Sequence, residues 1–540
     1  MKKIVSICIS LLIICSAVFS IPVIVSAEAT DGFQIKIVHT NDIHAHVAED
    51  EKSGIIGVSR LKSIIDAYTQ DADMSLVLDS GDAFHGQPVA TLVQGESIAK
   101  LLNACGYDAM TVGNHDWSYG KERLKELADM AGVKMLAGNV IMEDGKRFFD
   151  AEFLIKEVIK NGKTVKLGVF GVIDPKIYSS TTPSNVAGLT FTDSVKYAAN
   201  AAAELKRMGC DIVIALSHTY APERLAAKVD GVDVWLCGHE HISLHNSVIT
   251  PDGSTAYVVE DGYYLGEVGL LELDCTFDES GSLNGFSFEK TACTYADAAV
   301  YKEDDAVVTL LNEINQNQSL ILNQTVGSSP AFLDGVWEHL RIDETNLGKA
   351  VANAYLLATG ADIAFENAGG IRASIEAGDV TYGDIISVSP YGNYIVTKQI
   401  NGKQLKEILE TSIDIQVQCI AANNSGAYNA WPQSSGSYLQ TAGMTVIYDP
   451  SLEKGKRVIA VKVGDSPLDE KRMYTVAANN YVAVSSCYPQ LLHAEETGEY
   501  CASDEALIQF FMQDNDIINA VISQRGMIKT DKTMADIIKI

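Results

Sequence analysis

The chain has 540 residues, 47% hydrophobic and 8% aromatic, and a formal charge of −29 at pH 7. That length holds two or more domains with full cores, and the composition is globular rather than disordered, collagen-like or built on a disulfide framework. So acidic a surface repels nucleic acid backbones and anionic membranes at long range, which excludes a basic groove for a nucleic acid polymer; an anionic ligand needs metals or a few placed arginines.

Residues 1–27 carry Lys2 and Lys3, a long apolar run without an acidic residue, and the small-residue stretch Val25-Ser26-Ala27. This pattern predicts an export signal cleaved near Ala27, a secreted or extracytoplasmic location, and no stable membrane insertion after its removal. The run is also long enough for an uncleaved anchor. Ten cysteines include Cys8 and Cys15 in this segment, and no C-x-x-C occurs. Cys105, Cys210 and Cys237 read as small buried hydrophobes.

From Phe33 to about Cys275, apolar runs at 35–38, 76–78, 109–112, 165–173, 212–216 and 232–236 predict strands. Amphipathic stretches at 57–68, 96–104, 121–130 and 193–208 predict helices. The alternation predicts a layered α/β domain, with its chemistry just past the carboxyl ends of the strands. At those ends stand His39-Thr40-Asn41-Asp42-Ile43-His44, Asp79-Ser80-Gly81-Asp82, Gly113-Asn114-His115-Asp116, Ser217-His218 and Cys237-Gly238-His239-Glu240-His241. Charged and imidazole groups beside a core are costly unless paired or metal-bound. Asp42-x-His44 and His239-x-His241 each put two donors on one face of an extended segment. Mixed oxygen and nitrogen donors suit zinc, manganese or iron rather than calcium, in numbers sufficient for two divalent ions, with Asp82 the best bridging carboxylate.

The order D-x-H, G-D, G-N-H-D, H, G-H-x-H resembles the calcineurin-like metallophosphoesterases, and its wider frame resembles the 5′-nucleotidase branch. The resemblance implies one metal at Asp42, His44, Asp82 and His241, and another at Asp82, Asn114, His218 and His239. It implies that His115 binds the phosphoryl group or steadies the leaving oxygen. The family places an aspartate three residues after this histidine. Here Ser118 stands at that position, which leaves Asp116 as the nearest carboxylate in sequence to support His115. His46 and His245 read as peripheral, and His85 as a cleft residue without an assigned task.

Runs at 257–260 and 268–274 close the first domain, 278–285 is turn-rich, and apolar residues between 307 and 321 recur at helical spacing. That helix, near 303–322, is either a linker or the last helix of the first domain. The second half has more Gly, Asn, Ser and Tyr. A strand at 362–365 leads into Glu366-Asn367-Ala368-Gly369-Gly370-Ile371-Arg372, where Gly369 and Gly370 allow close approach to the backbone and Arg372 offers a two-pronged fork. With Leu340-Arg341 before it and Ser389-Pro390-Tyr391-Gly392 after it, this stretch resembles the 5′-nucleotidase C-terminal domain. By that resemblance Arg341, Asn367, Arg372 and Tyr391 grip a nucleoside. Tyr488 is then the second stacking ring, in a loop that is shorter and lacks the family's glycines.

The sequence therefore predicts an α/β protein: a layered metallophosphoesterase sandwich at 31–300 and a separate α+β substrate-binding domain at 323–540. The expected activity is hydrolysis of a small phosphate ester, a nucleoside 5′-monophosphate, on two divalent metals. A 2′,3′-cyclic nucleotide or a nucleotide-sugar diphosphate is the alternative substrate, and an exported binding protein or adhesin with a weakened centre the alternative of another class.

Overall fold

The segment Phe33–Thr40 alternates its side chains, so that Phe33, Ile35 and Ile37 face one apolar layer while Val38 faces another. This strand is the hinge of the first half's architecture in a computed structural model that describes residues 33–176, 181, 183–425 and 431–530. The expected signal at 1–27 lies outside the described residues. One six-stranded sheet runs in the order Leu283–Thr294, Glu267–Phe277, Phe33–Thr40, Met74–Asp79, Ala109–Met110, Lys134–Met135. A second runs Ser243–Ile249, Thr255–Asp261, Val234–Gly238, Ile212–His218, Lys163–Ile173, Phe153–Lys160. Ile35, Leu76 and Leu78 of the first meet Leu167, Ile214 and Leu236 of the second in one buried layer. Helices Val58–Thr69, Glu96–Cys105 and Lys121–Ala131 cover the outer face of the first sheet, and Ser194–Arg207 covers that of the second. The inner strands of both sheets are parallel. Their carboxyl ends therefore open at the same edge, which is where ligand sites form in such sheets.

Helix Asp305–Leu322 is capped by Asp304 and contributes Val307 and Ile314 to the core of the first half. Gln318 Nε2 also donates to Val89 O at 2.6 Å. The helix is thus packed on the first domain through most of its length, and its end meets helix Tyr382–Val388 of the second half. The turn-rich stretch expected at 278–285 is shorter than that, because strand pairing resumes at Leu283. Cys105, Cys210 and Cys237 are buried free thiols.

The second half has its own core. A five-stranded sheet runs Leu439–Ala442, Ile363–Asn367, Met473–Asn479, Tyr394–Asn401, Glu496–Ala502, beside a four-stranded one that includes Met444–Tyr448 and Val458–Val463. Helices Asn346–Thr359, Gly402–Ser425 and Ser503–Phe511 complete it. A polar clasp ties helix to sheet: Glu366 accepts from Tyr355 Oη at 2.5 Å and from Asn479 Nδ2 at 2.9 Å. Among the described residues no helix is long and apolar enough to cross a membrane.

The clasp predicts a pH dependence. Burial pushes the Glu366 carboxyl from 4.5 up to about 7, against the pull of its Tyr355 and Asn479 donors. A carboxyl whose folded value is raised binds more protons in the native state, so its contribution to stability falls as pH rises from about 4.5 to about 7. The swing is on the order of 3 kcal/mol. Glu366→Gln should remove it: thermal unfolding of wild type and variant from pH 4.5 to 8 should show the variant gaining on the wild type over that window and a constant difference above it.

Candidate metal centre and substrate grip

Five side chains named from the sequence sit in left-handed backbone: Asp42 (φ 48°), His44 (44°), Asp82 (58°), His239 (95°) and His241 (57°). For residues with a Cβ this conformation costs about 1 kcal/mol or more each, and it persists only where the surroundings enforce it. The enforcement is visible. The amides of Asp42 and His44 donate to Gly81 O and Asp82 O, which sews the first strand end to the second. Asp116 Oδ1 and Oδ2 accept from the backbone N–H groups of Asp82, Ala83, Phe84 and Gly113. Gly113 lies so close to Asp82 that a Cβ there would stand 2.0 Å from Asp82 Oδ1.

The result, among the described residues, is three overlapping donor groups, of which His44, Asp82 and His115 make the middle one and two others flank it. Asp42, His44 and His241 form one, with His44 Nε2 3.2 Å from His241 Nε2 and His241 Nε2 3.3 Å from Asp42 Oδ1. Asp82, His218 and His239 form the other. Asp82 Oδ2 lies between them, 3.2 Å from His218 Nε2 and 3.7 Å from His44 Nε2. Two imidazole nitrogens cannot face each other at that distance without a cation or a proton to share. Asp42 Oδ1, Asn114 Oδ1 and His218 Nε2 are buried without a hydrogen-bond partner. Buried orphans of this kind are costly, and all three are donors to metal ions. The donor set therefore fits a divalent ion in each flanking group.

Electrostatics agree. Burial lowers His44 well below the usual imidazole range and brings His239 to about 3, so both rings are neutral at pH 7 and present lone pairs. Burial opposes charge on His218 as well, but Asp82 and Asp42 raise it to about 10: two carboxylates favour a cation at that nitrogen. His218 Nδ1 donates to Ser80 O at 2.7 Å, which leaves Nε2 free for a ligand. A buried support unnoticed in the sequence stands behind it. His39 bonds Asp261 through Nδ1 at 2.8 Å and Ser80 Oγ through Nε2 at 3.0 Å, and Lys290 pairs with Asp261. Its sequence signal was His39 itself, one residue inside the strand end.

His115 and Asn114 border both flanking groups. The His115 ring lies edge-on to His44 at 4.9 Å, and burial lowers its pKa to about 4. Asp116, expected from the sequence beside the imidazole, is instead committed to four backbone amides and positions the Asp82 turn. Ser118 lines a cavity of about 800 Å³ between the two halves, with Tyr119, Tyr500 and Glu505. The carboxylate that does reach His115 comes from far along the chain: Glu499 Oε2 lies 3.2 Å from His115 Nε2 and accepts from Asn114 Nδ2 at 3.0 Å. His46 stacks on Tyr264 and bonds Gln87, His245 lies on the outer strand Ser243–Ile249, and His85 stacks beside His115 at 5.7 Å.

In the second half Arg341 is 4% exposed, yet its neighbour is a ring rather than an acid. Its guanidinium sits 3.9 Å over Trp337, Nη1 donates to Trp337 O, and Nε has no partner. Burial first, and then the charge of Arg372, lower its pKa to about 10. Arg372 is exposed and 6.0 Å over the half-exposed Tyr391 ring. Asn367 Nδ2 donates to Gly436 O, beside Arg341. Two arginines and a presented aromatic are thus brought together. The glycines serve packing instead: a Cβ on Gly370 would strike Glu366 Oε1 at 1.9 Å, and Gly369 lies against Gly436. Tyr488, expected as the second ring, is fully buried in the core with its hydroxyl on Ser437 O, so it offers no face to a ligand. Trp337 and Trp431, with ring centroids 4.6 Å apart beside Arg341, are aromatics that the motif reading missed.

Residues 35–243 match the calcineurin-like phosphoesterase family, and residues 325–487 match the 5′-nucleotidase C-terminal domain family. The chain is similar to the trifunctional nucleotide phosphoesterase protein YfkN of Bacillus subtilis (strain 168), 28% identical over 519 residues, which are 87% of this chain and 33% of that protein. It therefore spans about a third of that relative's length. It is similar to the 5′-nucleotidase of Vibrio cholerae serotype O1, 27% identical over 514 residues, 86% of this chain and 87% of that one. The crystal structure of a 5′-nucleotidase precursor from Thermus thermophilus superposes with a TM-score of 0.54 at 27% identity, covering 93% of this chain and 100% of that one.

Gly113→Ala should damage the centre more than the fold. Its Cβ would meet Asp82 Oδ1 at 2.0 Å and His218 Cε1 at 2.6 Å, so one of these side chains has to move. The expected cost in stability is about 1–3 kcal/mol. The expected loss of bound metal, read by elemental analysis after dialysis, is at least half, with an unchanged far-UV circular dichroism spectrum; full metal content in the variant would contradict the packing described.

Proposed function

Because the chain belongs to the family that joins a calcineurin-like phosphoesterase domain to a 5′-nucleotidase C-terminal domain, we propose that this metal-dependent phosphoester hydrolase releases phosphate from nucleoside 5′-monophosphates. The observation that carries the reading is the pair of buried donor groups meeting at Asp82, together with buried Arg341 and exposed Arg372 on a strongly acidic chain.

Asp42, His44 and His241 would hold one divalent ion and His218, His239 and the Asn114 oxygen the other, with Asp82 shared. Bound there, the pair would supply Lewis-acid clamping of phosphoryl oxygens and a hydroxide nucleophile at neutral pH. The chain's own part is orientation. His115 Nε2–H and Asn114 Nδ2 point at one position and can donate to a phosphoryl oxygen. His218 is kept in one tautomer by Ser80 O. Arg341, with its free Nε, and Arg372 bind the anionic or polar edge of the substrate, and Tyr391 presents a face on which a base can stack. Such stacking is worth about 1–3 kcal/mol and tolerates any base. The expected secreted location agrees with a scavenging hydrolase, and the wider specificity in the name of the Bacillus relative supports including 2′,3′-cyclic nucleotides and nucleotide-sugar diphosphates among the substrates tried.

The test is a phosphate-release screen on protein reconstituted with zinc, manganese or iron. A nucleoside monophosphate should have a higher kcat/KM than p-nitrophenyl phosphate; no release from any nucleotide would end the reading. Asp82→Asn should lose metal and turnover together, with metal content falling toward one ion or none per chain. Arg372→Ala should raise KM for the nucleotide by roughly tenfold while leaving p-nitrophenyl phosphate nearly unchanged, since a grip on the nucleoside is not used by a substrate that lacks one. Equal effects on both substrates would place Arg372 outside the nucleoside site.

A further inference from the structure

We propose that Glu499 is a built-in plug: an acidic side chain, carried by the C-terminal domain, whose oxygen occupies the position a substrate phosphoryl oxygen needs. The evidence begins with convergence. Asn114 Nδ2 and His115 Nε2, from the carboxyl end of a strand in the first domain, meet on a single oxygen, Glu499 Oε2, at 3.0 and 3.2 Å. Asn114 Nδ2 donates to that oxygen and His115 Nε2 stands close to it, beside Asp82 and His44, which makes a slot for one acceptor oxygen. Glu499 fills it from strand Glu496–Ala502, 385 residues away in sequence.

The strand is shaped for this reach. Its pairing with Tyr394–Asn401 slips on both sides of Glu499: Tyr394 faces Ala502 while Val396 faces Glu499, and Thr397 faces Gly498 while Lys398 faces Glu496. Each slip is one extra residue in the outer strand, and bulges of this kind re-aim side chains next to active sites. The side chain reaches the first domain at Asn114 and His115, and within its own strand it neighbours Glu496. Its neighbours form a polar seam between the domains. Tyr394 lies 4.4 Å from the His115 ring, Thr91 donates to Asp504 at 3.1 Å, His85 faces Glu505 at 3.4 Å, and Gln87 donates to Tyr391 O. Seams this polar part more readily than apolar ones.

The inference rests on the reading of the centre as a phosphoester hydrolase. A phosphoryl group entering it competes with Glu499, and phosphate binding becomes coupled to release of the strand. The plug therefore weakens the enzyme's hold on substrate and on product phosphate alike. A plug seated in about nine molecules of ten raises the apparent Kd about tenfold.

The experiment uses full-length, metal-loaded protein and inorganic phosphate as probe. Calorimetric titration should show phosphate binding roughly tenfold tighter in Glu499→Ala than in wild type, with Glu499→Gln between them, since its amide still offers an accepting oxygen to the slot. Hydrogen exchange of amides 496–502 should quicken when phosphate is added to wild type, and should already be fast in Glu499→Ala without it. With p-nitrophenyl phosphate, KM should fall and kcat should not. Unchanged or weaker phosphate binding, or a lower kcat at unchanged KM, would overturn the plug and make Glu499 a positioning partner of His115. A wild-type protein that binds phosphate but hydrolyses no ester would fail the hydrolase reading instead, and the calorimetric comparison would still decide the plug.

Discussion

Everything at the edge of the first domain's two sheets depends on keeping acids and imidazoles crowded in a largely buried place. Asp42 and Asp82 are both buried, and each raises the other's cost of ionising. Burial alone would neutralise them. The histidines reverse this: the nearby His241 ring and the charge of His218 outweigh burial at Asp42 and bring it to about 2, and His218 above all holds Asp82 below the usual carboxylate range. Carboxylates and imidazoles so balanced are a ready-made demand for cations, since a buried charge is tolerated only when it is paired or coordinated. The strained backbone at five of these residues is the geometric side of the same constraint. The sheets supply rigidity, and the strand ends use it to aim side chains.

The support for that aim is graded by distance from the donors. Asp116 holds the turn that carries Asp82 through four backbone N–H groups, and His39, Asp261 and Lys290 brace Ser80, whose carbonyl fixes the His218 tautomer. These groups touch no substrate, yet the orientation of the donors runs through them. Such outer partners weigh on metal affinity nearly as much as the ligands do.

The strand-end residues were legible in the sequence because the strands themselves were. Apolar runs of the right length bounded by Gly, Asn and Asp announce both the element and the place where it stops. His44 and His241, or Asp82 and His218, meet because parallel strands of packed sheets end at one edge, which is a rule of topology. Three features obeyed no such rule. Asp116 lay next to His115 in sequence but turned to the backbone, because adjacent residues in a single turn of helix, here His115–Trp117, project in different directions. Tyr488 matched a motif position, but Pro489 opens a short helix and its apolar neighbours draw the ring into the core. Glu499 had no local signal, since its significance comes wholly from a contact between domains.

The division of labour between the domains follows from charge. A chain of −29 attracts metal cations and repels nucleotides, so the first domain can assemble its centre from acids and imidazoles with help from the overall field. The phosphate ester must then be won against that field. On the proposed reading the arginines that face the nucleotide, Arg341 and Arg372, lie in the second half, where their guanidinium groups do not compete with metal ions for the same carboxylates. Arg341 is held over Trp337 without an acid partner, and this keeps its charge available, because a ring stabilises a guanidinium without neutralising it. Placing cation sites and cation side chains on different bodies removes the conflict between assembling a metal centre and attracting an anion. The two halves meet at a seam where Glu499 and Tyr394 reach His115, so the donors of the first half and the side chains of the second share one border.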